Sequence, residues 1–456
     1  MSTCVLVTVV VFSLASALPQ SPSSGWRLSP TEEEKAPLPL SLKQAMEIAL
    51  APEGNARIQL AEALRRQAEA RAHQARSALL PTVEATLGQQ NLTRNLEALG
   101  IRFTLPLPGF RLPSRVGPFT VVDARATLSQ SFFDVSSIER FQAARAGVTA
   151  AHAESESVRD QVAAQVARLY LAAVRADAEV KTAEANVALA EALLKLARDQ
   201  KEAGTGTAIE VTRAQVQLAN ERQRLLAAQT QRRQAHLELL RAIGLDLTLT
   251  LDLTDPLAYV PVETLTVEQA LAVALQARAD LKAQQHRQES ARRAYRAVAL
   301  ERLPSLVGYA DYGSIGTSAA HLIPTRTYGV ALRLPVFDGG RRDARRAESF
   351  AQFQQEQIRT TDLRQQIELE IRVALDSLRS ADEQVKVAQE GVALAERELE
   401  QARRRYQAGV TTSLELTDAQ TRLERARHNY LSALYAYNLA RIALAQAMGT
   451  IRQLTR

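Results

Sequence analysis

The chain has 456 residues, a formal net charge of +6 and only 5% aromatic residues. Scarce aromatic residues beside abundant Ala, Gln, Arg and Leu argue against a large globular core and favour long helices packed by small side chains. Arg and Glu are interspersed along the predicted helices instead of forming a basic patch, so we interpret them as solvated helix faces and expect no nucleic-acid partner.

The N-terminal residues predict a secretory signal peptide. Residues 5–14 are apolar and residues 15–17 read ASA, an A-x-A cleavage site, so the predicted signal is 1–17, although no Lys or Arg precedes the apolar run. Residues 18–39 are rich in Pro and Ser, and we expect a mobile segment. The single cysteine, Cys4, falls inside the signal, so we expect no disulfide and no Cys-ligated metal in the mature chain.

Two parts of the chain repeat one order of elements. Residues 40–251 and 265–451 each contain a helix, a Leu-Pro break, a non-helical stretch, a Phe-Asp pair and a long helical hairpin. The Pro-bearing segment 252–264 links them. Such self-similarity predicts one elongated body made of two like halves.

The non-helical stretches predict short strands. Apolar and polar residues alternate with period two in stretches about 81–90, 119–133, 304–313 and 326–337. One interpretation is an ordinary half-buried antiparallel sheet. The other is a membrane β-barrel, apolar towards lipid and polar towards a lumen. No mature segment approaches the ~20 apolar residues of a spanning helix. Because about eight strands are the usual minimum for closure, a barrel would have to be shared among copies of the chain.

The helical hairpins, about 135–243 and 339–448, predict antiparallel coiled coils. Val385, Val392, Leu399 and Tyr406 alternate with small residues at strict 3-4 spacing, as in a left-handed supercoil. No proline interrupts residues 135–202 or 339–407. At about 1.5 Å per residue, each of these spans is roughly 100 Å of helix. The predicted molecule is therefore long.

The hairpin turns carry glycines followed by a capping pattern. Gly204 and Gly409 follow the outgoing helices, where glycine adopts the left-handed C-terminal cap cheaply, and Gly206 lies in the first turn. Each return helix then begins with Thr-x-x-Glu. In the first hairpin Thr207 precedes Glu210, and in the second Thr412 precedes Glu415. Both pairs predict capping boxes.

No pattern in the chain predicts an enzyme, a metal site or a cofactor. There is no defensible Ser/His/Asp order, no phosphate-binding glycine loop and no metal-ligand spacing. The six histidines are scattered through predicted helices and one loop, where a surface position is the ordinary explanation.

The order of helix, strand pair and long hairpin, repeated once, resembles the TolC family of outer-membrane efflux ducts. The resemblance covers about residues 40–451 and rests on the two turns, on Leu-Pro before a strand and on LPVFDGG at 334–340. It implies a mainly α protein with a small β part. Specifically, it implies a homotrimer with a shared twelve-stranded β-barrel in outer-membrane lipid and an α-helical tunnel across the periplasm. A periplasmic adaptor and an inner-membrane pump are the implied partners in expelling small molecules or proteins.

The resemblance also implies roles for acidic residues at the second turn. The acidic pair that lines the closed periplasmic aperture in the family corresponds to Glu415 and Asp418, which would form stacked negative rings favouring cations in a trimer. Tyr406 matches the tyrosine that bonds the first-half acid, here Glu210. As alternatives, the two glutamates act only as caps and Tyr406 only packs. Thr411 departs from the pattern, since well-known members place a basic residue there.

The resemblance places adaptor docking at the turns that contain Gly204, Gly206 and Gly409. The alternative function is a secreted or periplasmic coiled-coil scaffold whose strands form a soluble sheet. Heavy-metal export within the family gains no support from three methionines and scattered histidines.

Overall fold

The protein is mainly helical with a smaller strand part. The computed structural model describes residues 37–98, 100, 114–204, 206–261, 265–408 and 410–453. The predicted signal peptide and most of the predicted mobile segment lie outside these residues. The helices are α1 (Leu42–Leu50), α2 (Ala56–Ser77), α3 (Val135–Glu202), α4 (Ala208–Ile243), α5 (Val267–Ala277), α6 (Ala279–Ala299), α7 (Arg341–Gln407) and α8 (Ser413–Ala447). The strands are β1 (Leu38–Leu40), β2 (Thr82–Asn95), β3 (Arg115–Phe133), β4 (Leu251–Leu253), β5 (Ser305–Gly316) and β6 (Leu322–Arg333).

Two long helix pairs dominate the molecule. Helix α3 has 68 residues and packs on α4, and α7 has 67 residues and packs on α8. Along α7, the residues of the 3-4 seam are buried or half-buried, with Val385, Ala395, Ala402 and Tyr406 fully inside. Alanine at alternate seam positions lets the paired helices approach closely. The small side chains therefore determine how the hairpins pack.

One large core lies near the middle of α3 and the end of α4. The parallel pair β1–β4 and helix α1 pack against α3 and α4 there. Tyr170 of α3 is buried in this core; its hydroxyl donates to the Leu40 carbonyl at 2.9 Å and accepts from the Asp255 backbone N–H at 3.3 Å. Burial raises the pKa of Tyr170 to about 12. These bonds tie the segment after β4 to the first hairpin.

The remaining strands form one antiparallel sheet in the order β2-β3-β5-β6. Directly paired residues share a face, so the register assigns each side chain to one of two faces. The first face is apolar and open to solvent, with Leu87 81% and Tyr328 80% exposed. The opposite face is polar, and there Arg125 contacts Asp311 on the neighbouring strand at 2.7 Å. The sheet therefore has one apolar face and one polar face.

The strands differ from the stretches in which the sequence alternates. β2 continues to Asn95, beyond the clean alternation, because the ladder with β3 pairs its polar residues as well. β6 begins at Leu322 and ends at Arg333, so residues 334–337 follow the strand instead of belonging to it. Cross-strand pairing, which the local pattern does not report, determines these ends.

Within the described ranges, no helix combines the length and the apolar character needed to cross a bilayer.

Candidate functional site at the hairpin tips

The first tip comprises residues 199–204 and 206–210. Helix α3 ends at Glu202, and Gly204 follows in the left-handed region at φ +74°. Gly206 closes the turn: its N–H donates to the Gln200 carbonyl at 3.0 Å, and a Cβ there would lie 3.1 Å from the Gln200 Cβ. Glycine is required at the first position by its backbone angle and favoured at the second by the close approach of α3.

Glu210 caps its own helix. Its Oε2 accepts a hydrogen bond from the Thr207 N–H at 2.8 Å, which is the carboxylate half of a capping box. The negative charge also lies in the first turn of α4, where the helix dipole favours it. The structural role of Glu210 is therefore to define where α4 begins.

The second tip comprises residues 404–408 and 410–418; Gly409 lies outside the described residues. Here the Glu415 carboxylate is bound differently. Oε1 accepts from the Arg405 guanidinium at 2.8 Å, and Oε2 accepts from the Thr411 hydroxyl. Thr412 is the N-cap residue, but among the described residues its side chain makes no capping bond. The capping box predicted from Thr412 and Glu415 is thus replaced by an ion pair across the turn.

Asp418 lies three residues after Glu415, on the same face of α8. Its side chain is exposed, and no described residue forms an ion pair with it. Because Arg405 balances the charge of Glu415, the uncompensated negative charge of the second tip belongs to Asp418.

Tyr406 is buried between the two hairpins. It is 5% exposed and clusters with Leu416 and Ala419 of α8 and with Leu193 and Leu196 of α3. The packing predicted from its heptad position is observed.

The hydrogen bond predicted between Tyr406 and Glu210 is absent. The phenol hydroxyl is buried without a hydrogen-bond partner among the described residues. Burial, and then the charge of Glu210, raise the pKa of Tyr406. A cavity of about 30 Å³ lies between the hairpins at this point and is lined by residues that include Tyr406 and Glu210. The hairpins are joined instead by the Gln200 side-chain amide, which donates to the Tyr406 carbonyl at 3.4 Å.

A second tie between the hairpins was missed by the sequence analysis. Arg224 of α4 contacts Glu221 at 3.0 Å and also binds Glu424 of α8. Glu221 is buried although it is charged, and its other oxygen contributes no described hydrogen bond. The sequence did contain a signal for this tie, because Glu221 lies three residues after Leu218 and therefore on the apolar side of α4. The ion pair between Arg405 and Glu415 was missed as well, because the two residues lie on opposite sides of the turn and only the fold shows that they are close.

The comparisons with known proteins agree with one another. The family described as outer membrane efflux protein matches residues 48–245 and 270–450. The pyoverdine export outer membrane protein OpmQ of Pseudomonas putida is 25% identical over 451 residues, covering 94% of this chain and 92% of that protein. OpmQ of Pseudomonas aeruginosa is 27% identical over 403 residues, covering 84% and 80%. The crystal structure of the outer membrane protein VceC from Vibrio cholerae superposes with a TM-score of 0.76 at 20% identity, covering 90% of this chain and 96% of that one.

Proposed function

The chain belongs to the outer membrane efflux protein family, and from this premise we propose that it is the exit duct of a tripartite efflux or type I secretion system. The protein is located in the outer membrane, with its helical part in the periplasm. The proposed duct is a homotrimer, and it performs no chemistry of its own. A periplasmic adaptor docks its tips, and an inner-membrane pump supplies the energy. The transported cargo is a small molecule or a protein.

The two-faced sheet carries this proposal. Its apolar face is extensively exposed, as a surface facing lipid requires, and its polar face presents the Arg125–Asp311 pair. Strands β2 and β6 are the edges of the sheet within this chain. An open edge in lipid leaves backbone groups unpaired, and four strands are too few to close. Three copies would pair β2 of one with β6 of the next in a closed barrel of twelve strands.

The long helices support a tunnel. At about 1.5 Å per residue, α3 and α7 are each roughly 100 Å long. Helix α2 packs on α3, α3 on α6, and α6 on α7, so the four helices are successive neighbours. Three such sets of helices would enclose a channel continuous with the barrel. In this proposal, the repeat of residues 40–251 in residues 265–451 supplies two hairpins from each subunit.

The two Pseudomonas relatives export pyoverdine according to their names. By extension, these names favour a small organic molecule over a protein as the proposed cargo of this chain. Selection among molecules of that class is assigned to the pump.

At the periplasmic end, the proposed aperture is formed by the second tip. Glu415 and Asp418 would form acidic rings in the trimer, with Asp418 contributing most of the net charge because Arg405 binds Glu415. Tyr406, Glu210, Thr207 and Thr412 would hold the closed arrangement by packing and by defining the helix starts.

The adaptor would contact the turns at Gly204, Gly206 and Gly409. A turn joins the two helices of each hairpin, so the turns are the parts of the duct farthest from the outer membrane in the proposed assembly.

The deciding experiment is the single-channel conductance of detergent-purified protein in a planar lipid bilayer, with its oligomeric mass measured alongside. We expect a trimer with small, cation-preferring currents. A water-soluble species without channel activity would overturn the proposal and favour a coiled-coil scaffold.

A further inference from the structure

A cavity of about 680 Å³ lies where the sheet meets the long helices. Its lining comes from the first turns of α3 and α7, the segment before β5 and the end of β6. We infer that this cavity binds the phosphate group of a phospholipid. The inference rests on the proposed function, since the sheet must lie in a membrane for lipid to reach it.

The cavity has a surplus of positive charge. Glu301, whose side chain is 9% exposed, contacts Arg140 at 2.7 Å and also binds Arg345, so one carboxylate balances two guanidinium groups. Arg342 pairs with Asp338 at 3.1 Å. Arg333, at the end of β6, is exposed and forms no ion pair with any described residue. An anion in the cavity would therefore find guanidinium groups that are not neutralised.

Ser136 provides a buried donor in the same cavity. It lies in the first turn of α3, is 4% exposed, and its hydroxyl has no hydrogen-bond partner in the described part of the chain. A buried hydroxyl without a partner costs free energy unless a ligand satisfies it. Asp134 also lines the cavity, but its carboxylate already accepts from the Ser137 N–H at 3.2 Å and from the Ser137 hydroxyl. The donors in the cavity without a described partner are thus Ser136 and Arg333.

The cavity is also lined by apolar residues, which favours a phospholipid over free phosphate. These residues include Leu303, Leu332 and Leu334. Leu332 pairs with Leu306 and is 69% exposed on the apolar face of the sheet. A ligand that reaches from the arginines past these leucines to that face needs an anionic head and an apolar tail.

The position in the fold fits the same ligand. The cavity lies at the ends of β3 and β6 that continue into α3 and α7. With the strands across the membrane and the helices in the periplasm, this level is that of the periplasm-facing headgroups. Near such a surface, each arginine raises the affinity of a protein for anionic lipid about fivefold.

The test is a titration of the full-length, detergent-purified protein followed by native mass spectrometry. The probes are a short-chain phosphatidylglycerol, the matching diacylglycerol without phosphate, and inorganic phosphate. The variants are Arg333→Gln, Ser136→Ala and, as a control, Arg326→Gln, an exposed arginine in the first half of β6 that does not line the cavity.

We expect saturable binding of phosphatidylglycerol that weakens about fivefold in Arg333→Gln and about tenfold in Ser136→Ala. Arg326→Gln should bind as the unmodified protein does, and diacylglycerol and inorganic phosphate should bind far more weakly. Equal effects of Arg333→Gln and Arg326→Gln would overturn the inference. Inorganic phosphate binding as tightly as the lipid would instead show a free-anion site.

Conductance measured on the same preparations separates this inference from the proposed function. If the protein forms normal channels and the affinity for lipid is unchanged in Arg333→Gln and Ser136→Ala, only the lipid site is refuted. Preparations that form no channels under any condition refute the proposed function, on which the lipid site depends.

Discussion

The two hairpin tips start from nearly the same sequence motif and reach different structures. In the first, Glu210 accepts from the Thr207 N–H and caps α4. In the second, Glu415 turns away from Thr412 and binds Arg405 and the Thr411 hydroxyl. A Thr-x-x-Glu pattern therefore does not by itself decide whether its glutamate caps a helix.

The cause lies in the residues around each motif. The two groups that bind Glu415 have no equivalent in the first tip, because Gln200 stands at the position of Arg405 and Gly206 at that of Thr411. The carboxylate attracts a guanidinium through its full positive charge as well as through the hydrogen bond, whereas a backbone amide is neutral. In the second tip, where the arginine is present, the glutamate binds it. In the first tip, where the arginine is missing, the glutamate caps the helix. A helix cap therefore stabilises the first tip and an ion pair stabilises the second.

The largest expected effect concerns Asp418, the acidic residue of the second tip that forms no described ion pair. In Asp418→Asn, a trimer loses three negative charges at the aperture. At about 8 Å each contributes roughly 0.5 kcal/mol in water-like surroundings, so the preference for cations should fall about tenfold. Bilayer reversal potentials measure this. Asp362→Asn, an exposed aspartate on α7 far from the tip, is the control; an equal fall there would refute the aperture ring.

Arg405→Gln with Thr411→Gly gives the second tip the residues of the first. Glu415 should then be released, take up the capping position at Thr412 and add its charge to the aperture. We expect the cation preference to rise about threefold to tenfold and the Thr412 amide to exchange more slowly. Arg404→Gln removes the neighbouring arginine, which binds Glu400 at 3.0 Å, and should leave both readouts unchanged. An unchanged Thr412 amide in the double variant would show that surrounding charges do not decide capping.

The tips also differ in the residue before the turn, Tyr406 in the second and Lys201 in the first. Tyr406→Phe removes a buried hydroxyl without a described partner, so local stability should rise by about 1 kcal/mol. Basal conductance should stay the same, and amide exchange at the end of α7 should slow about fivefold. A rise in basal conductance would mean that the hydroxyl holds the tip shut.

Tyr170→Phe is the matched control for that variant. Its hydroxyl is also buried but has two backbone partners, so its removal should destabilise the region of β1 by about 1–3 kcal/mol. The two substitutions are chemically identical, but they should change local stability in opposite directions.

The smallest expected effect tests the caps themselves. Glu210→Ala removes the acceptor of the Thr207 N–H, so that amide should exchange about two- to fivefold faster, corresponding to roughly 0.5–1 kcal/mol. Glu415→Ala should leave exchange of the Thr412 amide unaltered, because no capping bond is lost there. Equal acceleration of amide exchange in the two variants would show that both glutamates cap their helices.

The helices and the family were accessible from the sequence because their signals are local or ordered along the chain. The 3-4 seam of α7 places Val385, Ala395 and Ala402 inside, as the heptad predicts. The resemblance to outer-membrane efflux ducts, inferred from the order of turns and breaks, is confirmed by the family match over most of the chain. The trimer, the twelve-stranded barrel and the aperture ring stay predictions.

The hairpins and the two-faced strands are predictable from the sequence, because periodicity along the chain fixes which side chains share a face. The contacts of Glu415, Tyr406 and Arg224 follow from the fold instead. Such contacts join residues that are distant in the chain or separated by a turn, and their energies depend on competing partners at distances that no local pattern contains. The same motif therefore became a helix cap at one tip and an ion pair at the other.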